Sequence, residues 1–237
     1  MAPGSDFTSL AHDALLSCRL FAGLDERALE LVATALRPRR FRRGEVIFHA
    51  GDPGDSLFIV AAGAVKITVA AEDGAAPAIL TTIRTGGFFG ELALLDGAPR
   101  SATAAAVDAV QTLVLRRDAF DRLVDDEVAL RRALLAALAA EIRRLTAQVE
   151  DLHFLDLPGR LAQHLLREID GHDQRPPAGE SRLPWPYTQG ELASMIGGSR
   201  QSVNRLLADF VEQGLLRFDG DELVVPDPRR LAAAARR

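Results

Sequence analysis

The segment FGELALLDGAPRSA carries the side chains of this sequence that are best suited to bind an anion. Backbone N–H groups after Gly90 stand at the start of a short predicted helix, where they can face a phosphate. Arg100 offers a planar guanidinium for the phosphate oxygens, and Ser101 offers a hydroxyl donor. Glu91 is unfavourable beside a phosphate unless its carboxylate accepts hydrogen bonds from a sugar hydroxyl. This combination predicts a nucleotide site, although Glu91 and Arg100 alone could form an exposed ion pair worth about 0–1 kcal/mol.

A second segment, TQGELASMIGGSRQSVNRLLADFVEQG, has the pattern of two short helices joined at a glycine turn. Thr188 and Glu191 form a capping box for the first helix, and Ser199 can cap the second. Gly197 stands where the turn needs a positive φ. The following run, LLRFDGDELVVP, predicts a hairpin joined at Asp219–Gly220. The whole pattern predicts a winged helix-turn-helix.

The second of these helices would enter the major groove of double-stranded DNA. Arg200, Gln201 and Arg205 have the groups that read base edges. Ser199, Ser202 and Asn204 suit phosphate contacts that fix the register on DNA. Thr188 and Gln189 complete the predicted DNA-binding set. On an isolated helix such residues would be only a solvated face, but the turn and the wing favour DNA binding. Residues 156–237 hold 11 arginines and 12 acidic residues, so their net charge of −1 gives no independent support.

Other elements must position these two sites. Between Phe41 and Leu115, short β-rich runs separated by glycines predict an antiparallel jelly roll. The runs are EVIFHA, SLFIVAA, AVKITVA, AILTTI and VQTLVL. A helix before them is expected to begin at Asp25 and to end at Pro38. The segment GHDQRPPAGESRLPWP, rich in proline and glycine, is predicted to be a loop.

Beyond Arg116 the sequence predicts a long helical stretch with one apolar face. The residues of this seam follow one another at spacings of three and four: Leu135, Leu138, Ile142, Leu145, Val149 and Leu152. The repeat covers about two and a half heptads, so a helix packed only on its own barrel is an alternative. We expect a coiled-coil seam and a homodimer.

Composition excludes several kinds of site. The single cysteine, Cys18, excludes an internal disulfide, an iron–sulfur cluster and a multi-cysteine zinc site. The five histidines are scattered, so we expect no metal and no haem, and the protein is predicted not to be an enzyme. No apolar stretch is long enough to span a membrane, and the opening MAPGSDFTSLAHDALLS lacks the basic start and apolar run of a signal peptide. We therefore expect a cytoplasmic protein without a membrane partner. The net charge of −5 does not indicate a polyanionic partner by itself.

The sequence resembles the Crp/Fnr family of bacterial transcription regulators across nearly its whole length. FGELALLDGAPRSA looks like the phosphate-binding cassette of that family, and GGSRQSVNRLL looks like its recognition helix. The resemblance implies an α+β chain with three parts. These are a cyclic-nucleotide-binding jelly roll in residues 1–125, a dimerisation helix and hinge in 126–155, and a winged helix-turn-helix in 156–237.

The resemblance also implies ligands, partners and site residues. Cyclic AMP is the leading effector, and an inverted-repeat operator and RNA polymerase are the implied partners. The residues implied to surround the ribose and the cyclic phosphate, with Thr146 as a candidate for the base, are Phe89, Gly90, Glu91, Leu92, Ala93, Arg100 and Ser101.

Two departures from the family pattern bear on specificity. Members that respond to cyclic AMP have a Thr followed by Ser or Asn on the central helix, where this chain has Leu145 and Thr146. Leu145 cannot hydrogen-bond a base, so cyclic AMP, cyclic GMP, another nucleotide or constitutive DNA binding without any effector all stay open. Gln201 stands where the best-known members have Glu, so the half-site TGTGA is not carried over.

Overall fold

The computed structural model describes residues 12–18, 20–21, 23–70, 77–171, 179–185 and 187–235. They form two compact units, Met1–Ile142 and Arg143–Arg237. The division lies inside the longest helix, within the segment that was expected to be the dimerisation helix. Among the described residues, no helix is long and apolar enough to cross a membrane.

The first unit begins with helix α1 (residues 12–17) and helix α2 (Glu26–Ala35). Asp25 begins α2 as predicted, because its carboxylate accepts a hydrogen bond from the Ala28 N–H at 2.8 Å. The prediction that Pro38 ends this helix was wrong. The helix stops at Ala35, and Pro38 lies in an edge strand, where its missing N–H leaves no gap in the ladder.

In the described part of the chain, eight strands form the predicted jelly roll. They are β1 (Arg37–Phe41), β2 (Val46–Phe48), β3 (Ser56–Ala62), β4 (Ala64–Val69), β5 (Ala78–Arg84), β6 (Phe88–Phe89), β7 (Thr103–Ala106) and β8 (Val110–Arg116). Two antiparallel sheets have the orders β1-β8-β3-β6 and β2-β7-β4-β5. All five predicted runs lie in these strands. The inward residues Phe58, Val60, Val65, Phe89 and Val110 pack between the sheets.

Three helices complete this part of the chain: α3 (Leu92–Asp96), α4 (Arg117–Asp126) and α5 (Val128–Phe154). The predicted long helical stretch is interrupted at Glu127, whose N–H still bonds to the Leu123 carbonyl oxygen at 2.9 Å. Leu130 and Leu134 of α5 are buried in the core of the first unit. Burial of these two leucines attaches the first half of α5 to the jelly roll.

The second unit contains the remaining elements. They are α6 (Leu157–Gly171), β9 (Ser181–Pro184), α7 (Gln189–Ile196), α8 (Arg200–Glu212), β10 (Arg217–Asp219), β11 (Glu222–Val225) and α9 (Pro228–Ala234). The segment predicted as a loop contains β9, so that prediction was wrong for residues 181–184. Ser181 and Leu183 are buried, and β9 pairs with β11 about forty residues later, a contact that local composition does not reveal.

Candidate functional site

Arg100 lies under the turn that carries the predicted anion site and is only 5% exposed. Its Nη1 donates to the Gly90 carbonyl oxygen at 2.6 Å, and its Nη2 donates to the Ser56 carbonyl oxygen at 2.8 Å. Its Nε is buried and has no hydrogen-bond partner. Burial therefore excludes the exposed ion pair with Glu91. A buried, unpaired N–H on a cation is unfavourable, and an anion that reached it would relieve that cost.

Aromatic rings hold the guanidinium of Arg100 in place. Its central carbon lies 4.3 Å from the ring centroid of Phe48 and 5.8 Å from that of Phe58. Burial lowers the pKa of Arg100, and the nearby carboxylates of Asp55 and Glu91 oppose this shift. The group remains a cation at neutral pH, because an arginine side chain keeps its proton in proteins.

Gly90 is required by both its conformation and its neighbours. Its φ is +84°, and a Cβ at this position would lie 2.6 Å from Nη1 of Arg100 and 3.1 Å from the Ser56 carbonyl oxygen. Gly54 on the neighbouring loop is equally constrained, since its Cβ would lie 2.2 Å from that of Ala93. The turn can thus approach the guanidinium closely only because these positions lack side chains.

Glu91 directly precedes α3, and its side chain does not cap that helix. Burial raises the pKa of Glu91, the charge of Glu141 on α5 raises it further, and Arg100 opposes both. The carboxyl therefore lies in a place that penalises its charged form. Hydrogen bonds from a ligand hydroxyl to this carboxylate would reduce that penalty.

Arg117, which the sequence reasoning missed, anchors the short helix α3 of the cassette. Its Nη1 donates to the Leu94 carbonyl oxygen at 3.0 Å, and its Nη2 donates to those of Ala93 at 2.7 Å and Gly54 at 2.8 Å. The only sequence signal is an arginine at the junction of a buried strand and a helix. Arg100 and Arg117 therefore connect the cassette to neighbouring residues of the chain, Ser56 and Gly54.

The other predicted ligand residues differ in their surroundings. Phe89 and Ala93 are buried beneath the turn, whereas Leu92 and Ser101 are exposed beside it. Thr146 is an exposed residue of α5 that belongs to the second compact unit. Its contact with a base stays a prediction.

The seam residues of α5 are mostly exposed. Leu135, Ile142, Leu145, Val149 and Leu152 have exposures between 43% and 66%. Leu138 differs, because it is partly buried against the core of the jelly roll. The exposed members form an apolar stripe that a monomer would leave in water.

The start of the helix-turn-helix has the predicted caps. The Glu191 N–H donates to the Thr188 hydroxyl at 3.2 Å, and the Thr188 N–H donates to the Glu191 carboxylate at 2.9 Å. Gly197 has a φ of +69°, and Ser199 caps α8 by accepting from the Ser202 N–H at 3.1 Å. The capping box, the glycine turn and the second cap are confirmed.

Helix α8 separates its core face from its polar face. Val203, Leu207 and Phe210 are buried, which orients the helix on the second core. The polar residues on its exposed side are Arg200, Gln201, Asn204 and Arg205, and Gln189 is exposed at the start of α7. Within the described ranges, neither Arg200 nor Arg205 forms a salt bridge. These two guanidinium groups can therefore meet an anionic partner without breaking an ion pair.

Comparison with known proteins gives two family matches. Residues 38–127 match the description "Cyclic nucleotide-binding domain", and residues 159–234 match "Crp-like helix-turn-helix domain". A protein of Mycobacterium tuberculosis named "CRP-like cAMP-activated global transcriptional regulator" is 35% identical over 224 residues, 94% of this chain and 99% of that protein. The chain belongs to the Crp/Fnr family of transcription regulators.

Further comparisons agree with this assignment. The cyclic AMP receptor protein of Thermus thermophilus is 31% identical to this Crp/Fnr regulator over 199 residues, 84% of this chain and 88% of that protein. The solved structure of FixK2 from Bradyrhizobium japonicum shares the fold, with a TM-score of 0.74, 23% identity and coverage of 84% of this chain and 96% of that one. The predicted jelly roll, long helix and winged helix-turn-helix are thus confirmed.

Proposed function

We propose that this regulator is a homodimer whose binding to DNA is controlled by a cyclic nucleotide, with cyclic AMP as the effector. The proposal rests mainly on the buried guanidinium of Arg100, whose Nη1 donates to the Gly90 carbonyl oxygen and whose Nε has no hydrogen-bond partner among the described residues. It gains support from relatives in Mycobacterium tuberculosis and Thermus thermophilus whose names refer to cyclic AMP. Sites for small anions of this kind need a fixed donor set in a cleft that excludes most water.

The described residues fit a cyclic phosphate joined to ribose. Arg100 would hold the phosphate, and Ser101 would add a hydroxyl donor. Glu91 would accept a hydrogen bond from the ribose hydroxyl, which offsets the cost of its burial. When bound, the phosphate would offer a charged hydrogen-bond acceptor to the Nε of Arg100, which has no hydrogen-bond partner among the described residues.

Recognition of the base is assigned to α5. Thr146 has a hydroxyl that can donate to or accept from a base edge, whereas Leu145 has only apolar atoms. We therefore expect weaker discrimination between adenine and guanine than in a site with two hydrogen-bonding residues. Leu145 contributes to the exposed seam instead.

The exposed seam of α5 would bury its apolar face in a two-fold dimer. Two recognition helices related by this symmetry would bind an inverted-repeat operator with half-site centres about 10 bp apart. In each helix, Arg200, Gln201 and Arg205 would read bases, and Ser199 and Ser202 would contact phosphates. RNA polymerase is the expected further partner.

Control by the nucleotide requires coupling between the two ligands. We expect about 1–3 kcal/mol of coupling, a 5- to 150-fold change in DNA affinity, and an equal effect of DNA on the affinity for the nucleotide. Helix α5 begins in the first unit and ends in the second. It therefore connects the proposed nucleotide site covalently to the DNA-binding unit.

The test is calorimetric titration of nucleotide-free protein with cyclic AMP and then cyclic GMP at matched salt. Binding of cyclic AMP that is lost in Arg100→Leu and kept in Arg122→Leu is the expected result. Arg122 is a suitable control because it is exposed and, among the described residues, pairs only with Asp118 of the same helix. Absence of binding, together with normal binding to DNA, would favour the alternative of a constitutive regulator.

A further inference from the structure

His164 is a titratable residue of the second unit that has no part in the sites described above. It lies on α6 beside Leu161 and Leu165, both of which are fully buried. Its Nε2 is buried and has no hydrogen-bond partner among the described residues. A buried ring nitrogen without a partner is unfavourable, and the cost is largest when the ring is charged. A proton taken up by His164 would therefore need an acceptor close by.

Tyr187 connects His164 to the start of the helix-turn-helix. The two rings meet edge to face, with their centroids 5.9 Å apart. The Tyr187 hydroxyl donates at 2.9 Å to the carboxylate of Glu168, which lies four residues after His164 on α6. Tyr187 directly precedes Thr188, the residue that caps α7. The hydrogen bond between Tyr187 and Glu168 thus attaches the segment before α7 to α6.

The carboxylate of Glu168 is the acceptor best placed for a protonated His164. Residues four apart on a helix lie on one face, and opposite charges at this spacing attract each other. Burial lowers the pKa of His164, the charge of Glu168 opposes this shift, and the charge of Arg167 adds to it. Arg167 is itself engaged by the Asp151 carboxylate of α5. Glu168 is therefore the group that can stabilise the charged ring.

The charged side chains of the other elements that pack against α6 do not compete for this role. These elements are α7, β9 and α9. Glu191 of α7 binds its own cap residue, and Arg182 of β9 pairs with carboxylates of the wing. Arg229 and Arg230 of α9 are exposed. The response of His164 to pH therefore depends on the charges of its own helix.

We infer that His164, Glu168 and Tyr187 form a pH-sensitive switch for the helix-turn-helix. At neutral pH His164 is uncharged, and Glu168 holds Tyr187. When His164 takes up a proton in mild acid, the Glu168 carboxylate turns to Nε2 and releases the tyrosine, so the segment before α7 loses its attachment to α6. The inference rests on the proposed function, because binding to DNA is the activity that the switch controls.

A single proton sets the size of the effect. DNA binds the form in which Tyr187 is attached, which is the form with uncharged His164. The affinity for DNA is therefore full above the pKa of His164, which burial holds below the ordinary value of 6.5. Below that pKa it falls by up to about tenfold for each pH unit, because one proton is taken up.

The first experiment measures the affinity for DNA against pH. The probe is a labelled duplex that is selected from a random library at pH 7.5 with the full-length protein and cyclic AMP. Anisotropy at constant ionic strength should show that the affinity of the parent falls about tenfold towards pH 5.0. His164→Gln should stay within about twofold, since it cannot take up the proton. His153→Gln is the matched control, because His153 is exposed on α5, and it should follow the parent.

Tyr187→Phe tests the other half of the switch. The variant keeps the ring and removes the hydroxyl, so it should bind DNA more weakly at pH 7.5 and lose most of the pH dependence. Trp185, the single tryptophan of the chain, lies 5.6 Å from the Tyr187 ring and reports on this segment without DNA. Its emission should change in the parent between pH 7.5 and 5.0 while the helical circular dichroism stays constant, and it should not change in His164→Gln.

The outcomes separate this inference from the proposed function. Equal pH profiles for the parent and His164→Gln would overturn the switch and leave the regulator proposal intact. Emission that changes only together with the circular dichroism would also overturn it, because acid would then unfold the second unit instead of releasing Tyr187. If no bound duplex is recovered, the proposed function fails, whereas the emission of Trp185 still decides whether protonation of His164 releases Tyr187.

Discussion

Nη1 of Arg100 and the carbonyl oxygen of Gly90 are joined by a 2.6 Å hydrogen bond. The arginine expected to hold the effector thus also fixes the turn beside the proposed nucleotide site. Because Nη2 is bound to the Ser56 carbonyl oxygen as well, the guanidinium has two protein partners before any ligand arrives. The donor set is organised in advance, which reduces the entropic cost of binding.

Gly90→Ala should disrupt this arrangement. The added Cβ would lie 2.6 Å from Nη1 of Arg100 in a residue with a φ of +84°. We expect a loss of about 1–3 kcal/mol in unfolding free energy and a clear loss of nucleotide affinity. Gly97→Ala is the control, since Gly97 has a φ of +70° but no atom near its would-be Cβ. Denaturant unfolding and calorimetry measure both effects, and equal losses of affinity in the two variants would contradict the assigned contact.

Arg117→Met should loosen the cassette. The substitution removes three hydrogen bonds and leaves the carbonyl oxygens of Gly54, Ala93 and Leu94 to find other partners. The expected cost is about 2–4 kcal/mol in unfolding free energy, with weaker nucleotide binding. Arg122→Met removes an exposed pair with Asp118 and should cost less than about 1 kcal/mol. Similar thermal shifts for both variants would show that Arg117 does not anchor the cassette.

Glu91→Gln should separate stability from binding. Burial is the main cause that raises the pKa of Glu91 in the folded state, so the protonated carboxyl stabilises that state relative to the unfolded chain. This stabilisation is present at low pH and is lost as the pH rises through the raised pKa. The glutamine variant should therefore gain stability relative to the parent as the pH increases from 4.5 towards 8. Its nucleotide affinity should fall about 10- to 100-fold through loss of a charged acceptor. Unfolding curves across this pH range test whether the variant gains stability as the pH increases, with Glu30→Gln on α2 as the control.

His164 should make the second unit sensitive to mild acid. Burial lowers the pKa of His164, and its Nε2 has no hydrogen-bond partner. Since the unfolded chain takes up the proton more readily, stability should be full above about pH 6.5 and fall as the pH decreases below it. Trp185 emission follows unfolding of this unit. His164→Gln should flatten the pH dependence, whereas His153→Gln, at an exposed site on α5, should leave it unchanged.

Leu135→Glu should weaken the proposed dimer. Leu135 is 66% exposed on the seam, and a charge at a buried dimer contact is strongly unfavourable. The dimer dissociation constant should rise by about 100-fold or more. Ala136→Glu is the matched control because Ala136 is exposed on the same helix outside the seam. Sedimentation velocity over a range of concentrations gives the result, and a parent protein that stays monomeric would refute the dimer itself.

Interactions between residues that are three or four positions apart in the chain could be predicted from the sequence. Asp25 and Ser199 cap their helices through the N–H group three residues later, as their positions indicated. The capping box of Thr188 and the positive φ of Gly197 depend on residue type alone. The cassette motif also predicted that Arg100 and the Gly90 turn belong to one site, and the structure joins them by a hydrogen bond; the role of Arg100 in binding a nucleotide stays a prediction.

Tertiary structure decided the contacts between distant segments. Arg117 reaches the Gly54 carbonyl oxygen across 63 positions of the chain, and β9 forms only because β11 folds back against it. Leu138 has the spacing of a seam residue, yet it packs on the core of the jelly roll. Side-chain type and spacing determined which helices, turns and donor groups this chain has. Burial decided which groups lie together, because the free energy of packing depends on neighbours that the local sequence does not specify.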